Sequence, residues 1–325
     1  MNGIERVGKT IKREKADRVP LYGWVRANLS DQITEAFGSV EAFEDKYEFD
    51  LSHVFGGPSC YGADLVDEVR KRKGGDLEPA DLLELPMTDP ADQSAYKDII
   101  AELKHHRTER QRFCYVQTPG IFEANNGHFG IENHLAYLLL FPEDLAKVYA
   151  RQAEWNRRFA DACIDLGVDM VHVSDDWGSQ KSLLFSPDLW WSMIYPYHKT
   201  TVDHVKKRGC FASVHSDGDV SSVLGGVRQL GYDVVHPFQE TGDMSYDLWR
   251  REYRNDFTVM GGMDVQTTIG FGDPQRAKRE IARVLDAFKE GGLLLCTTHY
   301  IQDHCTMEEL REIFDYAYRA VRGKR

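Results

Sequence analysis

Short apolar or β-branched runs recur along the chain, each followed by a polar turn and then by a stretch with helical periodicity. The runs are Val19–Trp24, Leu51–Phe55, Phe113–Thr118, Met170–Ser174, Phe211–His215, Val234–Phe238, Phe257–Met260 and Leu293–Thr298. Strands alternating with helices predict parallel pairing, because a parallel crossover needs a connection long enough to hold a helix. The segments Val168–Ser174 and Gly291–Thr298 are almost continuously apolar, as expected of strands covered on both faces. Ser186-Pro187 and Asp273-Pro274 each set a capping oxygen before a proline at the first helical position. After the second of these, Ala277, Ile281, Val284, Leu285 and Phe288 form one apolar stripe. Thr306-Met307-Glu308-Glu309 reads as a capping box, leading into a stripe of Leu310, Ile313, Phe314, Ala317 and Val321.

Eight such units predict an α/β protein with the closed (β/α)8 TIM barrel architecture, formed as a single domain over residues 1–325. It carries an N-terminal extension and a long insertion between the second and third strands. That insertion, roughly Gly56 to Arg112, is expected to be helical, since structureless loops of such length are rare. An open doubly wound sheet is the competing architecture. It usually places a Gly-rich phosphate turn after the first strand, and VPLYGWVRANLS offers none.

Composition narrows the function. The 325 residues are 42% hydrophobic and 28% charged, as in an ordinary globular protein. Fifty-two Asp and Glu against 40 Lys and Arg leave a net charge of −12. This disfavours a nucleic-acid binder or a polybasic membrane-surface protein. There is neither an apolar run of membrane-spanning length nor a signal-peptide core at MNGIERVGKTIKREK. The six cysteines show no framework spacing. A cytoplasmic enzyme is expected.

Barrel chemistry collects at the C-terminal ends of the strands, and polar residues follow most of the runs. The first leads to Trp24 and Arg26. Glu123 lies beyond the third, with Phe122 beside it. The fourth ends at Asp175, Asp176 and Trp177, and the fifth at His215, Asp217 and Asp219. Glu240 follows the sixth, Asp264 the seventh, and His299 and Tyr300 the eighth. Each has a plainer reading. Asp219 and Asp264 suit turn or capping roles, and His172 and His236, in mid-run, suit core positions. Phe122, Trp24, Trp177 and Tyr300 fit either packing or a wall for a flat ligand. Adjacent Asp175 and Asp176 cannot both point inward, so one faces the mouth while the other caps or pairs with a base. His215-x-Asp217 places two side chains on one strand face. With His299 as a third partner the pair could bind a metal such as zinc, or it could act as an acid/base pair without metal, or be structural.

At these residues the chain resembles the uroporphyrinogen decarboxylase superfamily. The likeness runs through REKADRVPLYGW (13–24), DDWGSQ (175–180), SPDLWWSMIYPYHK (186–199), HSDGDV (215–220), GYDVVHPFQ (231–239), GGMDVQTTIGFGDP (261–274) and TTHYIQDHCTMEEL (297–310). It implies a (β/α)8 barrel. The decarboxylase branch carries an Arg-rich N-terminal signature of the form MRQAGR, whereas here GWVRANLSDQ retains only Arg26. The other branch comprises corrinoid-dependent methyltransferases and O-demethylases. Its thiol-transferring members bind zinc through His-x-Cys on strand five and a Cys near the end of strand eight. His215-x-Asp217 and His299 stand at those places, a harder donor set suited to a substrate oxygen.

The resemblance thus implies a methyltransferase that demethylates a small methylated substrate, such as a methoxy or ether compound. The methyl would pass to a corrinoid protein, because no second domain is evident to carry the corrinoid. His215, Asp217 and His299 would be the zinc ligands. His215, Asp175, Asp176 and Glu240 would be the catalytic or orienting groups. Trp24, Arg26, Phe122, Glu123, Trp177, Tyr300 and Asp264 would contact substrate. A metal-free decarboxylase of a small or tetrapyrrole acid is the alternative, and a non-catalytic corrinoid or tetrapyrrole binder is a third reading.

Overall fold

In a computed structural model, which describes residues 1–323, the chain forms an α/β fold of two compact units. One comprises residues 1–52, 106–114 and 233–325, and the other residues 53–105 and 115–232. Seven strands are present among the described residues: β1 Leu51–Val54, β2 Phe113–Pro119, β3 Met170–Ser174, β4 Phe211–His215, β5 Val234–His236, β6 Thr258–Met263 and β7 Leu293–Thr297. The pairings β2–β3 and β3–β4 in the second unit are parallel, as are β5–β6 and β6–β7 in the first. Each strand is buried along nearly its whole length, as the apolar runs require.

The expected first strand, Val19–Trp24, is reduced to one parallel bridge between Leu21 and Leu295. The sequence supplies the reason. Pro20 has no N–H to give, and a Cβ at Gly23 would lie 2.8 Å from the Phe314 ring, so the segment is packed by its glycine rather than extended by side chains. What survives is a set of backbone bonds: Tyr22 N to Leu295 O, Leu295 N to Pro20 O, and Asp50 N to Leu21 O, each 2.9 Å. β5 likewise stops at His236, before Pro237.

The segment between β1 and β2 is helical, with α-helices at Ala63–Lys73, Pro79–Glu84 and Lys97–Glu102. A further π-helical turn covers Leu103–Glu109. In the same unit the long helix Pro142–Leu166 fixes the end of β2, through the Asn156 amide donating to Pro119 O at 2.7 Å. Ser186, Asp273 and Thr306 cap their helices as their spacing predicts. The capping box at Thr306 is only half made. Glu309 is buried, and its carboxylate accepts from Gly270 N and Gly272 N at 3.0 and 3.1 Å instead of returning to the cap. No helix is long and apolar enough to cross a membrane.

The first unit is anchored by Asp50, 2% exposed, which accepts from Arg6 at 2.5 Å, Arg18 at 2.6 Å and Leu21 N at 2.8 Å. Removing this carboxylate takes the buried partner from two guanidinium groups whose side chains are 8% and 7% exposed, leaving Arg6 with Asp17 and Arg18 with Glu48 at 3.8 Å. Asp50→Ala is expected to lower unfolding free energy by about 3–5 kcal/mol in urea titration. A loss below about 1 kcal/mol would mean the network does not hold the first segment in place.

Candidate active site at the ends of β2, β3 and β4

Asp175, directly after β3, is fully buried and turned into the protein. Its Oδ1 accepts from Phe122 N at 2.9 Å and Glu123 N at 2.6 Å. Its Oδ2 is bonded by the Trp177 indole at 2.8 Å and His198 Nε2 at 2.7 Å. His198 Nδ1 lies 2.7 Å from the Tyr232 hydroxyl, completing a buried Asp–His–Tyr chain. A carboxylate removed from water needs such a set of donors. Room for it comes from Gly120, where a Cβ would meet Ser174 O at 2.2 Å and Asp175 Oδ1 at 2.4 Å.

Strand alternation then sends Asp176 the other way. Its Oδ1 accepts from Asp217 N at 2.8 Å and stands 3.5 Å from His215 Nε2. Asp217 Oδ1 is 3.9 Å from the same nitrogen. The His215 side chain is 4% exposed, against 34% for Asp176 and 25% for Asp217, so the imidazole is fixed while both carboxylates reach solvent. The two loops that carry them are packed backbone to backbone. Trp177 N donates to Ser216 Oγ at 3.0 Å and Asp219 N to Ser179 O at 2.7 Å, and a Cβ at Gly178 would meet Asp217 O at 2.4 Å.

Glu123 completes the group. Ser174 Oγ donates to its Oε2 at 3.0 Å. Burial, then the charges of Asp176 and Asp175, push its carboxyl up to about 7. Near neutral pH this residue can therefore either give or take a proton. Behind it, Phe122 stacks on His134 at 4.5 Å. His134 is bonded to Asn126 and to Tyr149, and burial lowers its pKa to about 4, so it is a neutral packing element.

The donor set fits a divalent cation. Two ligands of one tetrahedral zinc, each about 2.1 Å from it, lie about 3.4 Å apart. The 3.5 and 3.9 Å separations of the two carboxylates from His215 Nε2 fall near that value. Imidazole and carboxylate are also donors that zinc accepts.

Of the remaining expected residues, several are already engaged. Phe122 and Trp177 have no exposed surface, and Trp177 serves as a donor to Asp175. His172 and His236 are buried, the former against Ser213 Oγ at 2.7 Å, the latter stacked on Trp24 at 4.4 Å. Asp219 caps Ser221 N, and Asp264 caps Gln266 N and holds Thr267. Seven of these residues lie in the first unit: Trp24, Arg26, His236, Glu240, Asp264, His299 and Tyr300. Trp24 is packed by His299 at 5.9 Å and Tyr300 at 4.9 Å, ring to ring. Arg26 is paired with buried Glu44, Nε to Oε1 at 2.9 Å. Glu240 also belongs to that unit, and its carboxylate binds Tyr246 N and the Arg283 guanidinium. His198, Tyr232, Ser174 and Gly120 were not anticipated as functional. His198 does fall within the 186–199 stretch that carries the resemblance, but no spacing rule links it to Asp175.

The carboxyl of Glu123 gives a pH test. Its pKa is raised on folding, so its contribution is most favourable below the usual carboxylate range. That contribution is lost as pH rises toward 7, where ionisation is opposed. Glu123→Gln removes that penalty. Its melting temperature relative to the native protein should rise between pH 5 and pH 8. A difference independent of pH would show that Glu123 titrates normally.

The family model for uroporphyrinogen decarboxylase (URO-D) matches residues 122–320. No curated protein sequence matches. Among solved structures, a methyltransferase from Methanosarcina mazei shares the fold with a TM-score of 0.71, 14% identity and 98% of each chain covered. A B12-independent methionine synthase from Shewanella sp. W3-18-1 aligns at a TM-score of 0.50 and 14% identity, over 73% of this chain and 69% of its own. A sugar phosphate isomerase/epimerase from Parabacteroides distasonis aligns at 0.50 and 12% identity over 95% of both chains. At these identities the structures speak for the fold alone, while the family model spans more than half of the sequence and takes in Glu123, Asp175, Asp176, His198, His215 and Asp217: the chain belongs to the uroporphyrinogen decarboxylase family.

Proposed function

We propose that the protein is a methyltransferase of this family, which demethylates a small methoxy or ether substrate and delivers the methyl group to a corrinoid carried by a partner protein. The observation that supports the reading best is the gathering of Glu123, Asp176, Asp217 and His215 at the ends of β2, β3 and β4. Three of the four are acids, and one of these carboxyls is pushed up to about 7 by burial and by the charges of Asp176 and Asp175. Such a site repels a carboxylate and favours a neutral substrate with a basic oxygen. A multi-carboxylate tetrapyrrole would instead need guanidinium partners. Arg26, the one remnant of the decarboxylase signature, is held by Glu44.

When a methyl group leaves an ether, the C–O bond breaks and its electron pair stays on oxygen. The oxygen then needs a proton or a cation. Glu123 can supply the proton, and Ser174 orients its carboxylate. Asp176 and Asp217 would hold the His215 ring, and the buried Asp175–His198–Tyr232 chain fixes the loop from which Asp176 projects. His215 with Asp217 would hold zinc, which would supply Lewis-acid stabilisation of the leaving oxygen. The corrinoid would supply the nucleophile.

The test is a reconstituted demethylation assay with methoxy substrates and a corrinoid protein. His215→Ala and Glu123→Gln are each expected to lower the rate by about 10²–10⁴-fold. Zinc measured by elemental analysis should fall in His215→Ala, and His299→Ala tests the third ligand expected from the sequence. Unchanged demethylation in both His215→Ala and Glu123→Gln would overturn the site. Release of CO₂ from a carboxylated substrate without any corrinoid partner would overturn the reaction.

A further inference from the structure

The first unit contains a cavity of about 540 Å³. Its walls are the segment after the N-terminal helix, the turn before β7 and the end of the C-terminal helix. Val19, Pro20, Leu285 and Phe288 give it an apolar floor, and Arg13, Lys15 and Lys289 stand around it. The protein as a whole carries −12, so a cationic pocket runs against its average charge.

The charges divide by whether they are already compensated. Arg18 in the same wall is bound to Asp50, and Glu290 is bound to Arg254 at 2.7 Å. Arg13, Lys15 and Lys289 form no ion pair among the described residues. Glu14 is the remaining acidic group of the wall, and Asp233 and Asp256 act on Arg13 from farther off without pairing with it. Three cations and one carboxylate of the wall thus stand without an ion pair among the described residues, Arg13 alone having acidic groups at longer range.

Arg13 is also placed there at a conformational cost. The helix Gly3–Ile11 ends through Lys12, and Arg13 follows with φ of +63°, the left-handed position where glycine is usual. Glu14 N closes the turn on Lys9 O at 2.8 Å. Glycine would make this turn without strain, so the turn gives no reason for arginine. The guanidinium reaches the Thr258 hydroxyl and lies against Gly292, where a Cβ would come 3.6 Å from Nη1. A strained residue whose charge is left unpaired in a cavity fits a binding role better than a structural one.

We propose that this cavity binds a small organic phosphate, with the dianionic phosphate group held by Arg13, Lys15 and Lys289 and its apolar or flat body lying on Phe288 and Val19. Arginine and lysine together suit a phosphate, the first as a fork and the second as a point charge. The cavity shares no lining residue with the carboxylate cluster, and the proposal does not depend on the methyl-transfer reading.

The experiment is titration calorimetry and thermal shift of the full chain with inorganic phosphate and with a nucleoside monophosphate as probes, at low ionic strength. The nucleoside monophosphate is expected to bind and raise the melting temperature, with added salt weakening it. Arg13→Gly should bind about tenfold or more weakly. Its own melting temperature should equal or exceed that of the native chain, because the left-handed strain is relieved. Lys15→Ala/Lys289→Ala, exposed at the surface, should also weaken binding while leaving the fold intact. Three results would overturn the proposal: no binding of either probe to the native chain, equal binding by Arg13→Gly, or a large drop in melting temperature for Arg13→Gly, which would make Arg13 a structural partner of Thr258. Binding of inorganic phosphate as tight as that of the nucleotide would overturn the role of the apolar floor.

Discussion

A single buried carboxylate organises the unit that holds the candidate site. Asp175 is withdrawn from water entirely, and only four donors make that burial tolerable. The donors come from different places in the chain: two backbone N–H groups after β2, an indole two residues on, and an imidazole from the helix at Tyr195–Lys207. Satisfying one charge therefore fixes the relative positions of three segments. The position of Asp176 follows, because the chain cannot turn both carboxylates the same way. Glu123 follows too, since its own N–H is one of the donors. Apolar packing would not set these positions as closely, because it is indifferent to direction.

The other unit uses the same device for a different end. Asp50 lies between Arg6 and Arg18 and also binds Leu21 N, which holds a segment too poor in N–H groups and side chains to act as a strand unaided. Glu44 with Arg26 and Arg112, and Glu309 with the backbone of Gly270 and Gly272, repeat the pattern. In each case a buried acid is matched by groups distant in sequence. The apolar strands provide the layer, and the buried acids fix how the loops leave it.

This division explains what could be read from the sequence. Strand positions were legible because burial on both faces demands continuous apolar residues, and Met170–Ser174 and Phe211–His215 agree to the residue. The caps at Ser186 and Asp273 were legible because the interaction spans three residues. The split roles of Asp175 and Asp176 followed from alternation, though not which residue took which role. The partners of the buried acids were not legible. His198 lies 23 residues from Asp175, and Arg26 lies 18 from Glu44. Nothing in local spacing distinguishes an arginine that awaits a substrate from one already paired. Trp177 and Phe122 were ambiguous for a similar reason, since an aromatic after a strand can face the mouth or the core, and here both are covered.

The carboxylates of the site are made unequal by what surrounds them. Asp175 receives four donors. Glu123 receives one hydroxyl and stands beside two other acids, and its proton is held to about pH 7. Burial is common to both, but Asp175 is enclosed by donors whereas Glu123 keeps one donor and two acidic neighbours. Substituting a donor to Asp175 would therefore alter Glu123 through position, since Glu123 N is itself one of those donors. The structural acid and the titrating acid are linked through the N–H groups of Phe122 and Glu123, and the His198–Tyr232 pair holds the other oxygen of Asp175. A site built this way keeps one proton available near neutral pH among three neighbouring acids, and in the proposed reaction that proton is the one a departing oxygen would take.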